Sequence, residues 1–551
     1  MASRTVFALV LILAAHFSAV ARAGLLWPAP QSAALGASAL SVDALDFAFS
    51  VAGADGGLLR GALARYAALL FVRAPPTEPL NASLVPVVGA LRALAVDVRS
   101  PDETLGPATS ENYTLEVAAG AAPGADGSAT LTADTVYGAI RGLETFSQLV
   151  DFVGPLGNAF VVRTAAVADF PRFAHRGALI DTSRHFEPVA AIKAFLDAMS
   201  YTKLNVLHWH VTDDESFPYF SAAFPNLSAA GAYNAPDPAH VYSRADVQGV
   251  IAYARARGIR VVAEFDSPGH SRSWGLGQPG LLTQCYSNAS GTPEPVPGSF
   301  GPVDPTQPAT WDFLRAFFAE VAASFPDAYI HAGGDEVDYS CWQSNPRIAA
   351  WMSANGVATF AALESYYVQR VIDLLDGLGK SVVGWQEIFD NGLSLPNSTV
   401  VHIWKGSGNW SHDAEELSRV TAGGFRALFS ADWYVSRIDF GPQWHAFYEI
   451  DPTNFSGTDA QKALVIGGEL AAWGEFIDAA NFVSRVFPFG CAIAERLWSP
   501  SSVTNVTAAA PRLHAHRCRM LTRGLPAQVE SGPSFCPVEL SVSYSPPWGP
   551  E

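Results

Sequence analysis

Hydrophobic and polar positions follow two different rules along this chain. Between Gly24 and about Arg172, short runs alternate apolar and polar residues, as in Leu45-Asp46-Phe47-Ala48-Phe49 and Asn112-Tyr113-Thr114-Leu115-Glu116-Val117. A period of two is that of a strand with one buried and one wet face. One stretch, 135–152, is helical instead, with Ile140, Leu143 and Val150 among its candidates for burial. The Gly/Ala-rich residues 120–127 read as a turn between the second strand and this helix, and 155–172 as a connector. A small α+β domain with no recognisable chemistry is expected here.

From His175 on, the apolar runs become continuous and the order strand, loop, helix repeats. Strands are expected at 177–182, 205–211, 260–265, 328–331, 381–385, 400–404, 425–430 and 464–468. Uninterrupted apolar runs suit parallel strands covered on both faces. Between them, Trp311, Leu314, Phe318, Val321 and Phe325 recur at helical spacing after Pro308. Phe360, Leu363, Tyr367, Val371, Leu374 and Leu378 do the same, stopped by Gly377 and Gly379. Ser243 with Asp246 resembles a capping box ahead of Val247, Val250 and Ile251, with Gly258 as the stop. Eight such units predict an α/β fold, a right-handed (β/α)8 TIM barrel preceded by the smaller α+β domain. A doubly wound open sheet is the competing architecture, but no Gly-x-Gly-x-x-Gly follows the first strand. The expected division is a signal peptide over 1–23, the α+β domain over 24–172, and the barrel with a C-terminal extension over 173–551.

Composition narrows the class. A chain of 551 residues has room for a barrel of ~250 residues and a second domain. A net charge of −18 argues against binding nucleic acid through bulk charge and suits an acidic compartment. Arg4, the apolar run Val6 to Ala15 and Ala21-Arg22-Ala23 have the layout of a secretory signal. No uninterrupted run of the ~20 apolar residues that a membrane span needs occurs later. Cys285, Cys341, Cys491, Cys518 and Cys536 are too dispersed for a zinc finger or a redox pair. Spacing favours Cys518–Cys536, leaving Cys285–Cys341 as the second disulfide and Cys491 as a buried small hydrophobe. Asn-x-Ser/Thr acceptors begin at Asn81, Asn112, Asn226, Asn288, Asn397, Asn409, Asn454 and Asn505, which fits a glycoprotein.

Candidate chemistry concentrates at the predicted strand ends, where barrels of this kind carry their active sites. The fourth strand runs into Gly333-Gly334-Asp335-Glu336. Two adjacent carboxylates cannot both ionise easily, so one should have a raised pKa and serve as an acid. Successive strand side chains point oppositely, so both can face one pocket only where the strand is ending. An isolated Asp-Glu pair is more often a solvated turn; the apolar run before it, the double glycine and the later Trp342 argue otherwise. Other strand ends supply Asp181 and Arg184, His208-Trp209-His210 and Asp213, Glu264 to His270, Trp385-Gln386-Glu387, Trp404, Trp433-Tyr434 and Trp473-Gly474-Glu475. Indoles with carboxylates and arginine are carbohydrate chemistry: ring faces pack on sugar C–H surfaces while charges bind hydroxyls. His208 and His210 could alternatively be a metal pair, which needs a further histidine at a later strand end; His402 is the nearest, and it lies mid-strand.

His331, Gly333, Gly334, Asp335, Glu336 and Trp342 together resemble the signature of the β-N-acetylhexosaminidases of glycoside hydrolase family 20, and the likeness extends from about Arg176 to Trp498. The resemblance implies a retaining exo-glycosidase without metal or cofactor. It would remove terminal β-linked N-acetylglucosamine or N-acetylgalactosamine from glycans by substrate-assisted catalysis. It implies Glu336 as general acid/base, Asp335 holding the 2-acetamido N–H, and Tyr434 donating to the acetamido oxygen. Arg184 and Glu475 would bind outer hydroxyls, Trp385, Trp404 and Trp473 would box the acetamido group and ring, and Asp213, His270 and His210 would tune Glu336. Ser436-Arg437 departs in part: in animal lysosomal relatives Asn-Arg here accompanies anionic substrates and Asp-Leu does not, so Arg437 implies tolerance of a sulfated sugar. A homodimer in a lysosome-like compartment or outside the cell is also implied. The other readings are an ordinary two-carboxylate retaining glycosidase, or a carbohydrate-binding protein without turnover.

Overall fold

The computed structural model describes residues 25–72, 85–152, 160–406, 408, 410–536 and 538–539. The expected signal peptide and the acceptors Asn81 and Asn409 lie outside the described residues.

Apolar runs from His175 on close into a barrel of eight parallel strands. In order these are His175–Asp181, Val206–Thr212, Arg260–Phe265, Tyr329–His331, Ser381–Trp385, Val400–Ile403, Arg426–Phe429 and Val465–Ala472, the eighth pairing back onto the first. All lie within two residues of the expected start. The helices form where their stripes placed them, Pro308–Ser324 and Phe360–Gly377 among them, and Arg244–Arg255 opens with the reciprocal Ser243/Asp246 capping box.

The barrel interior is layered by the strand period. Val206, Val262, Tyr329, Val383, Val400 and Leu428 form an apolar floor. Two residues further along each strand the same inward positions carry His208, Glu264, His331, Trp385, His402 and Ser430. The floor is therefore greasy and the storey above it charged. No helix among the described residues is long and apolar enough to cross a membrane.

The N-terminal part departs from expectation in four places. Residues 43–47 form a turn rather than a strand, because Asp43 accepts from the Leu45 and Phe47 amides through Oδ1 and its carbonyl. The helix ends at Leu149, and Val150–Phe152 becomes a short strand. Within the expected connector, Phe160–Asp169 is a strand paired with Ser32–Val42 and Tyr113–Ala118 inside an eight-stranded sheet. The expected turn at 120–127 links two paired strands, Tyr113–Ala118 and Ser128–Ala133, rather than strand and helix. Helices Gly57–Leu70 and Val136–Leu149 cover one face of that sheet.

Both expected disulfides are present, Cys285–Cys341 and Cys518–Cys536, and Cys491 is buried and unpaired. Asn112, Asn226, Asn288, Asn397, Asn454 and Asn505 are all exposed.

Candidate active site

The fourth strand ends at His331, and the chain then turns sharply. Gly333 and Gly334 take φ of 66° and 94°, and Glu336 follows at 49°. Gly333 has no alternative: a Cβ there would lie 1.7 Å from Asp266 Oδ1. This left-handed turn is what lets the consecutive Asp335 and Glu336 serve one cavity. His270, at the end of the third strand's loop, also sits at positive φ, 48°. Two non-glycine residues held in that region at one spot mark a functional site.

The cavity, about 220 Å³, is lined by Arg184, His210, Asp213, Asp266, His270, Asp335, Glu336, Trp385, Trp404, Tyr434, Ser436, Trp473 and Glu475. Every residue to which the family resemblance gave a role is thus gathered except Arg437, which is exposed with its guanidinium carbon 5.3 Å from the Tyr434 ring centre. Asp181, His208, Trp209, Glu264, Gln386, Glu387 and Trp433 do not line the cavity. The indole of Trp385 lies 5.9 Å from that of Trp473 and 6.2 Å from that of Trp404. Glu264 Oε1 accepts from Trp385 Nε1 at 2.8 Å, and Glu387 Oε2 from Trp404 Nε1 at 3.0 Å. Arg184 is splayed over Asp181 (3.1 Å), Asp213 (2.8 Å) and Glu215 (3.1 Å), which fixes its guanidinium at the cavity wall. Burial pushes the Tyr434 phenol upward, so it stays a hydroxyl donor.

Electrostatics divide the two acids, but not as the sequence implied. Asp335 is buried and Glu336 exposed. Burial pushes Asp335 up to about 6, against the pull of His270 and Asp266. The His270 imidazolium, with Nε2 3.6 Å from Glu336 Oε2, holds Glu336 below the usual carboxylate range. In the free protein the raised pKa therefore belongs to Asp335, and the expected acid, Glu336, is the ionised partner. Despite its burial, His270 is kept charged by Asp213, whose Oδ1 lies 3.0 Å from Nδ1, and by Glu336.

Sequence reasoning left Asp266 and Glu264 at a strand end without a role. Both are buried, and their two-residue spacing puts them on one face of the strand. Gly334 N donates to Asp266 Oδ1 at 2.8 Å, while Asp266 Oδ2 and Asp335 Oδ1 are buried without any other partner. Burial and the neighbouring Asp335 push Asp266 far above the carboxylate range, so it is the neutral acid whose O–H can donate to Asp335.

A metal at the buried histidines does not fit. One nitrogen each of His208, His331 and His402 lies within 4.8 Å of the others. Yet both His208 nitrogens are taken by carboxylates at 2.9 Å, and the His208 and His331 rings stack face to face at 4.5 Å. Their lone pairs do not converge on a common point.

Comparison with known proteins agrees with this geometry. Residues 173–501 match the family model described as glycosyl hydrolase family 20, catalytic domain, and residues 26–149 match one described as beta-acetyl hexosaminidase like. Beta-hexosaminidase subunit alpha of Rattus norvegicus is 43% identical over 524 residues, covering 94% of this chain and 96% of the relative. Beta-hexosaminidase subunit beta of Homo sapiens is 48% identical over 423 residues, 76% of this chain and 72% of the relative. Among solved structures, a Flavobacterium johnsoniae chitobiase superposes with a TM-score of 0.77 at 28% identity, covering 91% of this chain and 73% of that one.

Proposed function

The chain belongs to glycoside hydrolase family 20, and from that premise we propose that it removes terminal non-reducing β-linked N-acetylglucosamine or N-acetylgalactosamine from glycans with retention, the substrate's own acetamido oxygen acting as nucleophile. The observation that carries this reading is the unequal pair, Asp335 buried among indoles and Glu336 at the open side of the same cavity.

The chemistry follows from that inequality. A bound acetamido N–H donated to Asp335 stabilises its carboxylate form. The fresh negative charge beside Glu336 then favours the protonated form of Glu336. Binding thus moves the pair's proton to the residue that faces the leaving group, and the two apparent pKa values belong to the pair. Glu336 protonates the glycosidic oxygen while the acetamido oxygen attacks C1. Asp335, now charged and desolvated, stabilises the cationic oxazolinium, with Asp266 holding it in place by its O–H. Tyr434 donates to the acetamido oxygen and positions it. Trp385, Trp404 and Trp473 form the box around the methyl group and ring, and Arg184 with Glu475 bind the outer hydroxyls. Glu336, ionised again, activates water for the second half. Arg437 puts positive charge at the rim and supports acceptance of a 6-sulfated sugar.

The two disulfides and the exposed acceptor asparagines support a glycoprotein of the secretory pathway, delivered to a lysosome-like compartment or secreted. The relatives' description as subunits supports a dimer.

Hydrolysis at acidic pH of an aryl N-acetyl-β-glucosaminide, the corresponding plain glucoside and the 6-sulfated glucosaminide tests the reading. Turnover of the first and not the second is expected. Cleavage of both at similar rates would instead support a two-carboxylate glycosidase, and binding without cleavage a lectin-like role. The sulfated-to-neutral rate ratio should fall in Arg437→Leu; an unchanged ratio removes Arg437 from substrate selection.

A further inference from the structure

More ionisable groups fill the barrel than the proposed reaction uses, and they form one file. His175 Nε2 lies 2.6 Å from Glu469 Oε1, and Glu469 Oε2 2.9 Å from His208 Nδ1. His208 Nε2 lies 2.9 Å from Glu264 Oε2, and the same oxygen 2.6 Å from His210 Nδ1. His210 Nε2 lies 2.9 Å from Asp213 Oδ2, and Asp213 Oδ1 3.0 Å from His270 Nδ1. His270 then faces Glu336. Carboxylate and imidazole alternate along the whole file, from the foot of the first strand to the mouth.

Glu264 is where the file branches. Its Oε2 is shared by His208 and His210, while Oε1 accepts from Trp385 Nε1 and lies 3.1 Å from His331 Nδ1. It is fully buried and does not line the cavity. We propose that Glu264 is a positioning residue that ties the acetamido box to the acid: it fixes the indole of Trp385 and, through His210 and Asp213, sets the protonation of the His270–Glu336 pair. This rests on the proposed hexosaminidase reading.

An imidazole with a carboxylate at each nitrogen must donate from both, so His210 is an imidazolium. Against the cost of burial, Glu264 and Asp213 hold its charge well above the ordinary histidine range. Asp213 is thereby faced by three cations, His210, His270 and Arg184. Replacing Glu264 by glutamine takes one anion from His210, which becomes neutral with its remaining proton toward Asp213. Asp213 is then less compensated, and Glu336 meets a more negative surrounding, which raises its pKa.

Other charges face these groups from each packed element. Around Glu264 stand His208 and His210 on the second strand, His331 on the fourth, Asp266 on its own and Asp335 beyond the fourth, whose carboxyl the Glu264 charge also pushes upward, with Glu469 behind His208. Around His270 and Glu336 stand Asp213, Asp335, Asp266, Arg184 and Lys405. Of these, Asp213 is the one bonded to His210, which Asp181 on the first strand also faces.

The test is the pH profile of kcat, which reports the substrate complex in which Glu336 carries the proton, on an N-acetyl-β-glucosaminide for the wild type, Glu264→Gln, His210→Asn and the double variant. The alkaline limb should move up by ~0.5 unit or more in each single variant. It should move no further in the double, because both changes act on one path. A limb displaced by less than about 0.2 unit in folded Glu264→Gln, or shifts that add in the double, would overturn the proposal. If Glu264→Gln does not fold, an unmoved limb in His210→Asn overturns it equally. A wild type that leaves the N-acetyl substrate intact would instead sink the hexosaminidase reading itself.

Discussion

At the scale of single residues, neighbouring acids with the same chemistry differ because one is desolvated and the other faces an imidazolium. Asp335 stands at about 6 by burial, while Glu336 lies low beside His270. Sequence reasoning placed a raised pKa in this pair and assigned it to Glu336. What the side chains are bonded to reversed the assignment for the free protein, since His270 arrives from a different strand. Glu336→Gln should lower kcat by a factor on the order of 10² to 10⁴. Binding of N-acetylglucosamine should be far less affected, because the glutamine leaves the acetamido pocket intact. Steady-state kinetics with titration calorimetry on the product checks both; near-wild-type turnover by a folded variant would free Glu336 from its role.

Among the elements, the fourth strand and its turn carry the site. Tyr329–His331 is only a short strand, and the geometry that matters begins where it stops. Gly333 at φ 66° leaves room for Asp266, which supports Asp335. Gly333→Ala should cost roughly 1–3 kcal/mol of stability through the strained backbone and the displaced carboxyl. It should also lower kcat/KM by ~10² or more, since misplacing a reacting group by an ångström has that effect. Thermal melts and kinetics on one preparation measure both, and an alanine variant with native activity would show that the turn has slack. The double glycine was legible in the sequence as a sign that the acid pair is no ordinary solvated turn. Its partner Asp266 was not, because nothing local connects residues so far apart in the chain.

Across the whole molecule, the N-terminal sheet and the barrel are held together by buried charge. Glu111 accepts from Arg141 Nε at 2.7 Å and from Arg176 Nη2 at 2.7 and 2.8 Å, with Asn205 Nδ2 at 3.2 Å. Asp169 accepts from Lys203 Nζ at 2.8 Å and from Trp498 Nε1 at 3.0 Å. Glu111→Gln leaves two buried guanidinium groups without their anion and should destabilise the protein by about 3–5 kcal/mol. Denaturant unfolding followed by both tryptophan fluorescence and activity should show one transition moved to lower denaturant. An unmoved midpoint would mean that water reaches this interface.

The order of elements was already in the chain, because strand and helix periods are written by near neighbours: the eight barrel strands start within two residues of their expected places, and their ends carry the residues that line the cavity. The N-terminal sheet was read less well, since an edge such as Phe160–Asp169 becomes a strand only when Ser32–Val42 and Tyr113–Ala118 close on it. Likewise Glu264 and Asp266 were visible as acids but not as supports. Where a proton rests is settled by groups that barrel closure brings within 4 Å of one another from different strands, and such distances leave no periodic trace in the sequence.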